Sequence, residues 1–357
     1  MLIQELTVDA SIWGTLLQTV PHDFYHLPGY LRLEAQRSRG EPVGYLIRHD
    51  DRCVDRWLFI PAILRRIPAS NCFDLTNAYG YPGPLWSLEA LADTDFTQRA
   101  VAAWVEHLSG VGLVSAFLRF HPLLSQPKEA WQQHGLFLYQ GDTVSIDLTL
   151  STAQLVQQTR ENHRRQIKQM QRRDDLAVFM DEDWAHFMDF MECYTATMDG
   201  VGAAPQYYFQ PEFFRALRKE LGARLHLCVV CIGADVARAG LFTETHGIVQ
   251  YHLSGARPAF AHIPTLKLML HYVRDWAKQQ GHQVFHLGGG VGARPDGLFL
   301  FKAGFSPLRH PFYTWRAIIN AEAYGVLVKE QRQAAGLLPA PDCKLDGFFP
   351  EYRAQLL

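Results

Sequence analysis

A run of three glycines in the second half of the chain constrains its fold most strongly. Residues 284–287 have the apolar character of a strand, and Gly288, Gly289 and Gly290 follow them directly. Because glycine has no side chain to cover the peptide groups, a ligand can lie against the main chain at such a point. The next predicted helix carries Lys302. The pattern predicts a site for a polar ligand whose charge the lysine neutralises. The alternative is an ordinary strand-to-helix turn followed by a solvated lysine.

The pattern of apolar residues in the second half predicts a fixed order of elements. Two helices are followed by three antiparallel strands, an amphipathic helix, the strand that ends in the glycines, the helix of Lys302 and a last strand. The predicted helices before the meander cover 182–198 and 211–221, the meander strands 224–232, 236–244 and 248–253, the next helix 264–280, and the later strands 284–287 and 312–319.

The predicted order of helices and strands in the first half is similar but more degenerate. β-rich runs flank a turn at residues 49–52, a helix with one apolar face follows, and two further strands end this half. The predicted strands cover 42–48, 53–60, 113–120 and 136–148, and the helix covers 93–109. Ser151 and Thr152 begin a predicted helix of about 23 residues, roughly 35 Å long, that bridges the two halves.

Several segments together resemble a known family. In the second half they are Tyr251-His252-Leu253-Ser254-Gly255, the glycine run and Phe301-Lys302-Ala303-Gly304-Phe305, in that order. In the first half they are Asn77-Ala78-Tyr79-Gly80-Tyr81-Pro82-Gly83-Pro84 and Leu118-Arg119-Phe120-His121-Pro122. Over about residues 20–320, the chain resembles the Fem-type peptidyltransferases and their relatives in the GNAT (acyl-CoA N-acyltransferase) superfamily.

This resemblance implies an α+β fold of two tandem GNAT-like units. Each unit is expected to be a mixed, mostly antiparallel sheet with helices on its faces. The predicted organisation is an N-terminal unit at 1–150 on the acceptor side, a C-terminal acyltransferase unit at 151–325, and a C-terminal helix and tail at 326–357.

The resemblance also implies where an acyl donor binds. The carrier is expected to slot between the strands at 248–253 and 284–287, and the predicted donor contacts are Ser254, Gly288, Gly289, Gly290 and Phe301. Acyl transfer to an amine builds negative charge on the carbonyl oxygen, which N–H groups and a cation stabilise. GNAT enzymes place a tyrosine acid four residues before the glycine of their Gly-Phe pair, whereas this chain has Leu300 there. We therefore predict that Lys302 supplies the catalytic charge. His252 is a candidate base, or else a structural histidine of the sheet.

Predicted acceptor residues occur in both halves. A basic helix carries three polar residues on one face, suited to a diphosphate or to an RNA backbone, and aromatic residues elsewhere suit stacking on a sugar or base. A solvated helix and ordinary aromatic packing are the structural alternatives. The candidates are Tyr79, Tyr81, Arg119, His121, Asn162, Arg165, Lys168 and Tyr207.

Composition limits the class of protein. The 357-residue chain has a net charge of −2, so any contact with nucleic acid or anionic lipid has to come from a local patch, and we expect no DNA partner. No signal peptide and no stretch long enough to span a bilayer is evident, which predicts a cytoplasmic protein. The six cysteines and the dispersed histidines lack the spacing of a disulfide scaffold or a zinc site, which predicts reduced thiols and no metal.

The resemblance to GNAT and Fem-type proteins implies an N-acyltransferase that uses acyl-CoA, such as acetyl-CoA, as co-substrate. The acceptor is expected to be an amine of a small polar molecule, such as a nucleotide- or lipid-linked sugar of the cell envelope. Aminoacyl-tRNA, which Fem-type relatives use, is the second expected donor, with tRNA then a partner. A catalytically silent binding protein on the same fold is a further alternative.

Overall fold

The computed structural model describes residues 1–49, 56–337, 345 and 347–354. The predicted turn at 49–52 lies mostly outside the described residues, and Cys53 and Cys343 lie wholly outside them. The strands are β1 Leu2–Leu6, β2 Gly40–Arg48, β3 Trp57–Arg66, β4 Phe73–Thr76, β5 Leu85–Trp86, β6 Leu113–Arg119, β7 Leu136–Asp147, β8 Leu176–Met180, β9 Leu225–Ile232, β10 Asp235–Thr245, β11 Ile248–Ala256, β12 Val284–Gly288 and β13 Arg309–Ile318. The α-helices are α1 Ser11–Thr19, α2 Pro28–Arg37, α3 Leu88–Leu91, α4 Thr94–Gly110, α5 Lys128–Gln132, α6 Thr152–Gln158, α7 Glu161–Gln171, α8 Phe187–Gly200, α9 Pro211–Leu221, α10 Thr265–Gln279, α11 Gly297–Lys302 and α12 Ala321–Ala334.

The chain divides into two compact units. The first comprises Met1–Gln140 together with Pro311–Leu357, and the second comprises Gly141–His310. Each unit is a mixed sheet with helices on it, and among the described residues the parallel strand pairs are β4 with β6 in the first unit and β11 with β12 in the second. The predicted α+β class, with two units of mostly antiparallel sheet, is confirmed.

The first unit orders its strands β1-β2-β3-β4-β6-β13. Several tryptophans pack together in its core beneath α4. The apolar residues of α4 recur at helical spacing. Trp104 lies 6.0 Å from Trp131 and 5.8 Å from Trp315 between ring centroids, and the Trp315 indole donates to the Trp131 carbonyl at 2.9 Å. Asp93 caps α4 by accepting from the Phe96 N–H at 2.9 Å.

The second unit has the same plan in the order β8-β9-β10-β11-β12-β7. Four antiparallel strands lead through α10 to β12, which runs parallel to β11. Leu268, Met269 and Val273 of α10 are buried against this sheet, and Gly281, at φ +83°, follows the helix end. The predicted meander, α9 and α10 match the structure closely. The edge strand β8 was not predicted.

The unit boundaries differ from those predicted because two strands belong to the opposite units. β7 was expected to finish the first unit, but its residues Val144–Asp147 pair with β12 of the second. β13 was expected to complete the second unit, but its residues Thr314–Ile318 pair with β6 of the first. The helix expected in a separate tail is α12, which begins at Ala321 and packs within the first unit.

The predicted long bridging helix is wrong. The structure has two helices, α6 and α7, and both lie in the second unit. Thr159 is extended at ψ 127°, and the Arg160 N–H donates to the Gly304 carbonyl at 2.7 Å instead of continuing α6. The Arg164 guanidinium donates to the Thr159 carbonyl at 2.7 Å, which satisfies part of the exposed helix end.

The described residues also bear on the metal, thiol and membrane predictions. Within them, no group of three or more His, Cys, Asp or Glu side chains is arranged to hold a metal ion. The four cysteines that the structure describes, Cys72, Cys193, Cys228 and Cys231, are free thiols. In the same described ranges, we find no helix with the length and apolar character needed to cross a membrane.

Candidate active site

The central feature of the second unit is the point where β11 and β12 part. Their parallel register, within the described residues, joins Ile248 to Val284, Val249 to Phe285 and Gln250 to His286. β11 then continues to Ala256 and β12 to Gly288. Strands that stop pairing leave peptide N–H and C=O groups that a bound ligand can satisfy. This is the position predicted for the acyl carrier.

A β-bulge bends β11 at the same level. Leu253 pairs with Leu241 and Tyr251 with Phe242, so His252 is the additional residue. The hydroxyls of Tyr251 and Ser254 are hydrogen-bonded to each other. His252 is partly exposed at the surface. Burial of the rest of the residue lowers the pKa of its imidazole to about 4. A histidine with that pKa is neutral at pH 7 but is a weak general base.

The conformation and packing of the loop explain why three glycines occur there. Gly288 has φ +75°, where other residues are strained. A Cβ on Gly290 would lie 2.0 Å from the Arg294 carbonyl oxygen and 2.4 Å from Asp296 Oδ1, and a Cβ on Gly289 would lie 3.1 Å from the Asp142 carbonyl oxygen. The loop's own packing therefore accounts for glycine at these positions before any ligand is considered.

Lys302 is buried, with 7% of its surface exposed. Its Nζ donates to the Gly289 carbonyl at 2.7 Å and lies 5.6 Å from the centroid of the Tyr251 ring. Burial lowers the pKa of Lys302 to about 8, and the nearby Asp296 carboxylate partly offsets the shift. The alternative of a solvated surface lysine is wrong. Gly289, Tyr251, Ser254 and Lys302 form one connected cluster.

Asp296 organises the loop that leads into α11. Its carboxylate accepts from the N–H groups of Phe299 and Val291, both at 2.9 Å, and these bonds hold its pKa below the usual value. Behind α11, the Phe301 carbonyl accepts from His163 Nε2 at 3.0 Å. Gly304 permits this contact, because a Cβ there would lie 2.5 Å from that nitrogen. The helix that carries Lys302 is therefore fixed at both ends.

Comparison with known proteins shows what this region is similar to. Residues 157–294 match the model of the acetyltransferase (GNAT) domain. The matched segment contains the parting strands, the bulge and the glycine run, and it ends just before α11. No curated protein sequence matches the chain.

Solved structures extend the likeness over both units. FemX has a TM-score of 0.68 at 11% identity, covering 91% of this chain and 99% of FemX. The C-terminal domain of an Agrobacterium fabrum protein assigned as a lysylphosphatidylglycerol synthetase has a TM-score of 0.54 at 14% identity, covering 87% and 92%. L-PGS from Bacillus licheniformis has a TM-score of 0.53 at 11% identity, covering 88% and 94%. At such identities the likeness establishes the fold, and the predicted resemblance to GNAT and Fem-type proteins is confirmed at that level.

The other predicted ligand residues of the second unit lie outside the Lys302 cluster. Asn162, Arg165 and Lys168 are exposed on α7, with the Arg165 guanidinium donating to Asn162 Oδ1 at 3.1 Å. Tyr207 ends a 3₁₀ turn, where its carbonyl accepts from the Tyr194 hydroxyl at 2.5 Å.

The first-unit candidates are more buried than the sequence indicated. The ring of Tyr81 packs 5.9 Å from that of Tyr25, whereas Tyr79 remains 37% exposed. Arg119 ends β6 and lies over the Phe117 ring at 4.7 Å. His121 follows the strand and is buried, with Nε2 3.0 Å from Asp23 Oδ2. Its burial beside Asp23 favours the structural alternative for His121.

Sequence reasoning gave no role to three residues that shape the second unit. Tyr251 faces Lys302, Asp296 caps α11, and the buried His286 contacts Gln250 Oε1 at 2.8 Å and Thr143 Oγ1 at 2.9 Å. The spacing of Asp296 to Phe299 is a capping signal that could have been found. The ring contact of Tyr251 has no local sequence signal.

Proposed function

We propose that the second unit transfers an acyl group from a carrier to an amine. The observation that carries the proposal is the coincidence of the parting strands β11 and β12 with a buried ammonium bound to the glycine run that ends β12. The match to the GNAT domain model supports a transferase, and the cluster of Lys302, Tyr251 and Ser254 supplies polar groups beside the gap.

The proposed reaction needs little from the protein beyond positioning and charge. The amine nitrogen attacks the acyl carbonyl carbon, the carrier leaves with the electrons of its bond to that carbon, and the amine loses a proton. Lys302 is proposed to stabilise the negative charge that develops. A cation about 4 Å from an oxyanion contributes roughly 4 kcal/mol at an effective dielectric constant near 20, before desolvation is subtracted. His252, with its low pKa, is proposed as a hydrogen-bond partner or weak base.

Acyl-CoA is the first donor that we propose, because GNAT domains typically use acetyl-CoA. In the loop before α10, Phe260 donates to the Arg257 carbonyl at 3.0 Å and Ala261 donates to the Pro258 carbonyl at 3.1 Å, so turns already use these N–H groups. The proposed contacts along the acyl arm are Gly288, Gly289, Gly290, Ser254 and Phe301.

Aminoacyl-tRNA is the second donor that we propose. The exposed cations of α7 favour it, since Arg165 and Lys168 are available to a nucleic-acid backbone. The chain shares its fold with FemX and with a protein assigned as a lysylphosphatidylglycerol synthetase, whose name describes a lysyl group on a lipid. These similarities are consistent with an aminoacyl-tRNA donor. For the acceptor, we propose a polar amine of a cell-envelope precursor in the cytoplasm. The candidate acceptor contacts are Asn162 and Tyr207 in the second unit and, considered separately, Tyr79, Tyr81 and Arg119 in the first.

A thermal melt with each donor tests this proposal. At a hundredfold excess over its dissociation constant, a ligand that binds the folded protein adds about 2.7 kcal/mol to the free energy of unfolding. We expect millimolar acetyl-CoA to raise the melting temperature, with dephosphorylated CoA fragments as the control. A rise with aminoacyl-tRNA alone would select the second donor. A rise with acetyl-CoA but no acyl transfer to any amine would favour the silent binding protein, and no rise with either donor would contradict the proposal.

A further inference from the structure

Helix α11 has its charged residue inside and its two leucines outside, while its phenylalanines pack against the core. Lys302, the charged residue of Gly297–Lys302, is 7% exposed, whereas Leu298 is 36% and Leu300 is 53% exposed. A surface helix ordinarily has the opposite arrangement. One exposed leucine needs no explanation, but a contiguous apolar patch marks a surface that binds something.

Two further exposed apolar residues flank this helix. Val291 is 69% exposed and lies in the loop before α11. Its N–H donates to the carboxylate of Asp296, the residue that caps the start of α11, at 2.9 Å. Leu308 is 37% exposed, a few residues after the helix, and precedes Arg309, whose guanidinium lies 5.5 Å over the Phe299 ring of α11. We call Val291, Leu298, Leu300 and Leu308 the α11 surface.

Cations adjoin the α11 surface. Besides Arg309, Lys267 Nζ lies 5.9 Å from the centroid of the Phe301 ring, and the Arg160 N–H donates to the Gly304 carbonyl at 2.7 Å. Burial is the main cause that lowers the pKa of Lys267 and of Arg309, and the charge of the nearby Arg160 lowers both further, so the three cations lie near one another. Asp142 faces Arg309, and Asp296 is occupied as the helix cap. Apolar residues bordered by cations are typical of proteins that bind the interface of an anionic bilayer.

We propose that the α11 surface docks on an anionic lipid bilayer. Val291 and the leucines would enter the boundary between headgroups and acyl chains, while Arg160, Lys267 and Arg309 meet lipid phosphates. Each cation near such a surface strengthens binding by roughly fivefold, so this contact is reversible and peripheral. A second copy of this chain fits the α11 surface less well than a bilayer does. In a two-fold dimer the same cations of both copies would face and repel each other. Docking goes beyond the acyl transfer proposed above and does not depend on it.

Flotation with vesicles, without donor or acceptor, tests the proposal. The vesicles contain phosphatidylglycerol and phosphatidylcholine in equal parts, or phosphatidylcholine alone. We expect binding to the anionic vesicles that weakens as salt is raised. Val291→Glu should reduce it about tenfold or more, because it places an anion at the lipid surface. Val201→Glu is the matched control, since Val201 is also a valine of the second unit with 69% exposure, and it should bind like the natural protein.

A second pair of variants separates docking from a folding defect. Leu300→Ser should weaken vesicle binding severalfold, and Val326→Ser, at a position 51% exposed against 53% for Leu300, should leave it unchanged. Equal binding by Val291→Glu and Val201→Glu, or no preference for anionic vesicles, would overturn the proposal. So would a natural protein that ignores vesicles but forms a dimer that Val291→Glu dissociates, because the α11 surface would then be a protein interface.

Discussion

Replacing Lys302 with methionine is expected to lower kcat for acyl transfer about a hundredfold or more, the range typical for the loss of one preorganised donor. Methionine retains most of the volume of the lysine stem and removes the charge. The fold should remain intact and become somewhat more stable at pH 7, because the buried ammonium is costly, as its pKa of about 8 indicates. Steady-state kinetics and a thermal melt of the same preparation measure both effects.

Lys278→Met is the matched control for this experiment. Lys278 is also a lysine of the second unit whose Nζ donates to carbonyls, those of Leu148 and Leu150 at 2.8 and 2.7 Å. It should change stability but leave kcat near normal. Arginine at 302 should rescue turnover only in part, because a planar guanidinium does not reproduce a point charge on a flexible stem. Near-normal turnover of the methionine variant would show that Lys302 is a structural lysine.

The second large effect is expected in the pH dependence of kcat/KM, which reports the ionisations of the free enzyme. If Lys302 acts as a cation, the protonated form is active, and it is lost as pH rises through the folded pKa of about 8. Well above that pH, kcat/KM should fall about tenfold for each pH unit. Because arginine stays protonated throughout this range, Lys302→Arg should lack the falling limb. An activity that instead rises through pH 8, with the rise lost in Lys302→Met, would identify Lys302 as a general base.

The same pKa fixes the sign of a stability effect. Burial disfavours the charged lysine, so the folded state binds this proton less tightly than the unfolded state does, whose lysine keeps its ordinary value of 10.5. Between about pH 8 and 10.5 the unfolded chain therefore holds the extra proton, and the contribution of Lys302 to the free energy of unfolding rises by about 3 kcal/mol. Denaturant titrations across this window should show a steeper rise for the natural protein than for Lys302→Met.

Local periodicity predicted much of the second unit. Residues 211–221 are α9 as predicted, and the meander and α10 differ from their predicted bounds by a few residues. These segments carry strong signals, such as Pro211 at the first helical position and Gly281 after the last. The opposition of Lys302 to the glycine run was also foreseen, since a strand, a glycine loop and a short helix place a returning side chain near the strand end.

The errors arise where tertiary contacts decide. The pattern of β7 shows that it is a strand but not that it pairs with β12, and the same holds for β13 and β6. The break at Thr159 depends on the distant Gly304 carbonyl, and no local residue signals it. Gly290 looked like bare backbone for a ligand, whereas Asp296 and Arg294 fold back against it. His121 was predicted as an acceptor contact, and its contact with Asp23 was missed because Asp23 is remote in sequence.

Hydrogen exchange of the backbone amides tests the central claim most directly, because it reports where the donor lies. If the acyl arm enters the gap where β11 and β12 part, saturating acetyl-CoA or aminoacyl-tRNA should slow exchange in residues 251–255 and 287–290. Exchange in α9, in the same unit, should be unchanged and serves as the internal control. Protection at both segments with one of these donors is the result that we predict. A donor that binds and yet leaves exchange in both segments unaltered would contradict the placement of the active site.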